Sequence, residues 1–392
     1  MNTEKLINDS IEEIIEIRRY LHQNPELSQK EYNTMGKICS CLSKWGVEYK
    51  KNVADTGVVA IIKGRTDQKV IGVRADMDAL PVKEESNVMF SSVNENVMHA
   101  CGHDIHMSVL LGLAKILITI GNEIDGSVKL FFQPAEETIG GAKRMINEGC
   151  LENPHVDAVL GLHVNSDIDV GKIGLKYGKM YAASDMITIT VMGEQTHGAY
   201  PHNGIDPIII SANIIMALQT LVSRNIAPYN SAVFTVGSIH AGTNSNIIPK
   251  SARMDCILRT LDPQTREFLK KRTADLATNI AKSYGGTAQI NIEESYGPLI
   301  NDNSMVDTVK AAALETIGEE NISIVQEPCM GTDDFSYFAA ARKACYFNLG
   351  IRNKDKGYIY PIHSGKFAAD EGSIALGIKI YLNSILKYFE NN

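Results

Sequence analysis

The densest polar run in the chain is Met98-His-Ala-Cys-Gly-His-Asp-Ile-His-Met107. Cys101 and His103 stand two apart, which in extended chain puts both side chains on one face, as two ligands of one metal ion require. Taken alone, the run is equally a reduced core cysteine beside surface histidines. His99 and His103 have the i, i+4 spacing of a helical zinc motif, but Ala100 stands where that motif carries glutamate and Gly102 weakens a helix, so the zincin arrangement loses. His106 falls on the following helix and is expected to buttress the site. A second run, Phe132-Gln-Pro-Ala-Glu-Glu137, follows an apolar strand. Neighbours in extended chain point opposite ways, so Glu136 and Glu137 are expected to differ in role, one binding metal and one taking a proton. Either glutamate alone also fits the acidic start of a helix.

His163 closes Gly161-Leu-His163 after another apolar strand, and His363 lies in Pro361-Ile-His-Ser364. A lone histidine is usually structural. Here the strands ending at residues 74, 133 and 164 each run into a candidate group, gathering them on one rim of a sheet, where open α/β sheets bind ligands. Cys101, His103, Glu137, His163 and His363 make five ligands, more than one closed tetrahedral zinc takes; two divalent ions sharing a bridging group accommodate them. Two dications balanced by a thiolate, one carboxylate and a bridging hydroxide keep a charge of about +1, which suits an oxyanion. Water held between such ions loses a proton near neutral pH. Asp76 and Asp78 share a face, and Asp78 is expected to accept the remaining N–H of a ligand histidine.

The elements that must carry these groups follow from periodicity. Ile11, Ile14, Ile15, Ile17 and Leu21 mark an amphipathic helix, and 31–45 a second. Short apolar runs at 57–62, 70–74, 127–133 and 158–164, with helices at 104–117 and 140–148, give the β/α alternation of a largely parallel sheet. The style changes near Ala183: 186–192 alternates like a half-exposed strand, with strands at 231–239, 252–261 and 287–293 and helices at 206–222 and 263–283. From Tyr296 the βα style returns. The expected fold is α/β: a mostly parallel-sheet dimetal catalytic domain in two pieces, 1–182 and 295–392, with an inserted α+β lid, 183–294.

The 392 residues carry 38 Lys+Arg against 46 Asp+Glu, a formal charge of −8, which disfavours nucleic acid and anionic membranes as partners. An acidic, periodic start predicts no secretory signal and a cytoplasmic location. The most apolar stretch, 109–120, is broken by Lys115 and shorter than the roughly 20 residues a bilayer needs. Seven scattered cysteines predict reduced thiols.

GVRADMDALP (72–81), MHACGHDIHM (98–107), QPAEE (133–137), GLH (161–163), THGAYPH (196–202), GTNSNIIP (242–249) and IHSGKF (362–367) together resemble the co-catalytic metallo-amidohydrolase family. That family holds hippurate hydrolase, N-acyl-amino-acid amidohydrolases, indole-acetyl-amino-acid hydrolases and N-acetyldiaminopimelate deacetylase, and is related to aminoacylases and dimetal carboxypeptidases. The resemblance implies that Cys101, His103, Glu137, His163 and His363 bind the metals, that Glu136 is the general base and Asp78 the orienting carboxylate. It implies that His197 reaches the substrate carbonyl oxygen, often across a dimer interface, and that Asn246 and Arg259 hold the substrate carboxylate. Asp76 stands where distant relatives carry a histidine ligand, and Asp333 where relatives usually carry glutamate. The expected reaction is hydrolysis of an N-acyl amino acid with two divalent ions per chain, zinc or manganese first, nickel and cobalt supporting related chemistry. A dimer or higher homo-oligomer is expected, paired through the apolar helix at 208–221. Alternatives are a dimetal carboxypeptidase or dipeptidase, a thiol amidase with Cys101 as nucleophile, and a non-catalytic metal-dependent module.

Overall fold

The computed structural model describes residues 3–66 and 68–391 and divides into two compact units. The first comprises 1–178, 300–327 and 334–392, and the second 179–299 with 328–333.

The first unit is built on an eight-stranded sheet in the order Glu48–Val53, Gly57–Ile62, Ser127–Gln133, Val70–Asp76, Ala158–Asp169, Lys343–Arg352, Ile173–Leu175, Ile322–Ile324. Its four middle strands, from Ser127–Gln133 to Lys343–Arg352, are mutually parallel. Ser127–Gln133 and Val70–Asp76 are buried at every position, the mark of a parallel strand covered on both faces. Antiparallel pairing appears on both flanks. The flanking strands Glu48–Val53, Ile173–Leu175 and Ile322–Ile324 escape the periodicity, because the first is mostly polar and the others are only three residues long.

The helix His103–Ile120 is almost wholly buried and packs against Thr3–Gln23 and Gly372–Asn391. Thr3–Gln23 contributes Ile7, Ile14, Ile17 and Leu21, one helical face. Gly102 opens His103–Ile120 at φ +82, and an added Cβ there would stand 2.5 Å from Val164 Cγ2. Only glycine meets both demands without strain.

The second unit is a four-stranded antiparallel sheet in the order Ala232–Ala241, Ser251–Thr260, Ala183–Met192, Thr287–Glu294. The helices Pro207–Leu218, Thr220–Asn225 and Pro263–Ser283 cover it around Ile187, Ile189, Ile210, Ile214, Met254 and Leu269. Both long helices start on an aspartate followed by proline. Asp206 accepts from the Ile208 and Ile209 N–H groups, and Asp262 from Thr265 N–H at 2.9 Å. The segment 328–333 joins this unit because Cys329 N–H donates to Met180 O and Ala182 N–H to Gly331 O.

Among the described residues, His103–Glu123 and Pro207–Asn225 are apolar and long enough to cross a bilayer by length and composition alone, a test that the core helix of a soluble protein also passes; 83% of the most apolar 18-residue window of the first is buried inside the fold and 33% of that of the second. All seven cysteines are free, and six are buried.

Candidate active site

The parallel strands deliver their groups to one end of the first unit's sheet. Val70–Asp76 and Ser127–Gln133 run in register to Asp76 beside Gln133, so Asp78 and the Pro134-Ala-Glu-Glu137 turn leave from adjacent strands. That turn holds Ala135 at φ 56, a left-handed conformation secured by its N–H donating to buried Glu31 at 2.9 Å. His163 lies within the next parallel strand, and His103 is the first residue of the core helix. His363, at φ 65, is anchored by its own N–H to Ala100 O at 2.8 Å.

All five expected ligands come together. Cys101 Sγ is 3.4 Å from His163 Nε2, while Glu137 Oε1 lies 3.8 Å from His103 Nε2 and 3.5 Å from His363 Nε2. Donor atoms of Cys101, His103 and His163, of Cys101, Glu137 and His363, and of His103, Glu136 and Glu137 form triplets within 4.8 Å. His103, Cys101 and Glu136 are buried, while the His363 side chain is half exposed and marks the open side.

The second nitrogens of two histidines are committed to donation. His163 Nδ1 bonds Val164 O at 2.7 Å, and His103 Nδ1 bonds Asp78 O at 2.9 Å, freeing each Nε2 to coordinate. The acceptor nearest His103 is therefore the Asp78 carbonyl, where the carboxylate was expected; Asp78 Oδ1 stands further off at 3.3 Å. Asp78 Oδ2 instead ties Ser28 Oγ, at 2.5 Å, to Glu137 N–H, at 3.0 Å, and so fixes the Glu137 backbone.

The electrostatics call for cations. Burial alone would keep His103 neutral, but Asp76, Asp78 and Glu137 outweigh it and lift its pKa to about 10. Burial, Glu137 and Glu136 push the Cys101 thiol well above its ordinary range. Among the described residues, His103 Nε2 and Glu137 Oε1 are buried with no hydrogen-bond partner, an arrangement costly in a dry site. Buried thiol, imidazole and carboxylate donors with two atoms unsatisfied fit divalent metal ions.

Asp76 serves other partners. Its oxygens accept from Arg74 Nη1 at 2.6 Å and from His106 Nδ1 at 2.5 Å. Arg74 also donates to Gln133 Oε1 and Asp334 Oδ1, each at 2.8 Å, and Gln133 in turn to Asp334. Sequence reasoning missed this layer of polar groups beneath the site; its signal was an arginine inside the otherwise apolar VIGVRA. Also missed was the buried pairing of Asp104 with Arg18 Nε and His22 Nδ1, both at 2.8 Å, which joins Thr3–Gln23 to the core helix.

His197, Asn246 and Arg259 belong to the second unit. His197 pairs with Ile247 across two short strands, and Gly198 N–H donates to Asn246 O at 2.7 Å, so His197 and Asn246 are neighbours there. Ala199 N–H donates to His197 Nδ1 at 3.0 Å, so a neutral ring carries its proton on the exposed side chain's Nε2. Arg259 lies on Ser251–Thr260, with Nη1 buried and without a hydrogen-bond partner among the described residues. Asp333, buried, ends the 328–333 segment of the same unit.

Residues 72–387 match the model of peptidase family M20/M25/M40. The chain is 40% identical over 392 residues to thermostable carboxypeptidase 2 of Saccharolobus solfataricus, covering 98% of each. It is 37% identical over 390 residues to hippurate hydrolase of Campylobacter jejuni, covering 100% of each. Among solved structures it resembles the Bacillus subtilis YxeP protein, a dinuclear metal binding peptidase, with a TM-score of 0.86 and 30% identity over 98% of this chain and 100% of that one. With that match spanning most of its length, the chain belongs to peptidase family M20/M25/M40 and is a metal-dependent hydrolase of that fold.

Proposed function

We propose that the protein hydrolyses the amide bond of N-acyl amino acids, releasing a carboxylic acid and a free amino acid. The observation that carries this reading is a pair of unsatisfied buried donors, His103 Nε2 and Glu137 Oε1, with Glu136 beside them. Cys101, His103, Glu137, His163 and His363 would hold two divalent ions, zinc or manganese. Bound there, the ions supply a polarised water and positive charge for the carbonyl oxygen.

Glu136 takes the proton of the attacking water and delivers it to the leaving nitrogen. Asp78 and Val164 hold the ligand imidazoles in the tautomer that leaves Nε2 to the ions. His197, as the Nε2–H form, donates to the carbonyl oxygen as it gains charge. Arg259, whose buried Nη1 has no hydrogen-bond partner among the described residues, takes the α-carboxylate of the amino-acid half with help from Asn246. The raised Cys101 thiol argues against a thiol amidase, whose nucleophile needs a lowered one. The exposed Ile208, Ile209 and Met216 on the helix Pro207–Leu218 support a homodimer.

The similarity to a carboxypeptidase keeps dipeptides as a second substrate class, since a free α-carboxylate suits Arg259 in either case. Assaying N-acetyl, N-benzoyl and N-aminoacyl derivatives of the same amino acids tests the proposal. Faster turnover of the acyl derivatives is expected, and turnover confined to dipeptides overturns it.

A further inference from the structure

Helix residue His106 is buried and uses both ring nitrogens. Its Nδ1 lies 2.5 Å from Asp76 Oδ1, and its Nε2 accepts the Val164 N–H at 2.9 Å. A nitrogen that accepts carries no proton, so the ring is neutral and its proton sits on Nδ1. The ring stacks on His103, centroids 5.3 Å apart, and meets His163 edge-on at 4.8 Å.

The backbone explains the need for this residue. The strands Val70–Asp76 and Ala158–Asp169 pair only as far as Arg74 and Gly161. Beyond that point Val164 N–H finds its acceptor in His106, and an unpaired buried donor there would be costly. That N–H belongs to the peptide immediately after His163, and Val164 O receives His163 Nδ1. Arg74, Asp76, His106, Val164 and His163 thus form one continuous hydrogen-bonded chain.

We propose that His106 is a positioning residue, which fixes the His163–Val164 backbone in the Nδ1–H form set by Asp76 and thereby sets the affinity of the one ion that His163 holds. This rests on the reading above that His163 is a ligand.

Two variants isolate the Val164 hydrogen bond. His106→Asn keeps a donor near Asp76 but falls short of Val164; His106→Gln reaches it with an acceptor oxygen. The full-length protein, freed of metal, is titrated with cobalt(II) against a competing chelator while the visible absorption of the ion is followed. His106→Asn is expected to weaken one of the two binding steps about 10–100-fold and shift its cobalt bands, leaving the other step within about threefold; His106→Gln restores most of the loss. Equal affinities and spectra in wild type and His106→Asn, or equal weakening of both steps in both variants, overturns the proposal.

His163→Ala separates the two readings. If it loses one step while His106→Asn loses none, only the present proposal fails; if it keeps both steps, the assignment of His163 as a ligand fails as well. Should His106→Asn not fold, the tautomer of His106 in the wild type, read from two-bond nitrogen-to-proton couplings, decides. The Nδ1–H form is expected, and an Nε2–H ring or an imidazolium overturns the proposal.

Discussion

Burial and neighbouring carboxylates shift the protonation of the groups in the cluster. Burial first, and then Glu137 and Glu136, discourage ionisation of the Cys101 thiol, whereas Asp76, Asp78 and Glu137 outweigh burial and press the His103 imidazole to take a second proton. Divalent ions reverse both pressures, so binding releases protons. Glu136→Gln keeps shape and metal contacts but cannot take a proton, so turnover should fall to near background while metal content, by atomic emission on the same sample, stays at wild-type level. His197→Ala should lower kcat about 10²–10³-fold with metal content unchanged, the loss of one oxyanion donor; unchanged kcat removes His197 from the mechanism. The residue types and spacings picked out all five clustered side chains, because Cys, His and carboxylate groups able to bind a metal leave a readable trace in the sequence. Which atom of Asp78 meets His103, and the polar layer of Arg74, Gln133 and Asp334, left none, since both depend on packing between strands far apart in sequence.

At the scale of elements, the helix Thr3–Gln23 is tied to the core helix by Arg18 and His22 on Asp104, all buried. Arg18→Met leaves Asp104 short of its strongest partner, and urea unfolding should show about 3–5 kcal/mol of lost stability. The cap of Pro263–Ser283 gives a pH-dependent case. Asp262 is held below its ordinary pKa by the Thr265 N–H first of all; desolvation opposes this, and hydrogen bonds from Lys179 and the Thr265 hydroxyl add to it. A depressed carboxylate contributes stability above its unfolded pKa and loses it as pH falls through the folded one. Asp262→Ala should therefore cost about 1 kcal/mol at pH 7, and the difference from wild type should shrink below about pH 4. Helix starts such as Asp262-Pro263 are visible in sequence because capping is local. The three short or polar strands were not, because pairing with neighbours, and not their own pattern, makes them strands.

For the whole molecule, the change from unbroken apolar runs to alternation separates a sheet covered on both faces from one with an open face, and this makes the α/β and α+β parts distinguishable in the sequence. Metal ions bind the folded chain and not the unfolded one, so they should stabilise it by mass action. Chelation should lower the thermal midpoint and abolish hydrolysis, and zinc or manganese should restore both; activity that survives chelation would return Cys101 to the role of nucleophile. The most direct measurement is anomalous diffraction from crystals grown with excess zinc or manganese. Two peaks per chain are predicted, ligated among them by Cys101, His103, Glu137, His163 and His363, with Glu136 close by but uncoordinated. A single peak, or ions bound away from Cys101 and Glu137, would contradict the account.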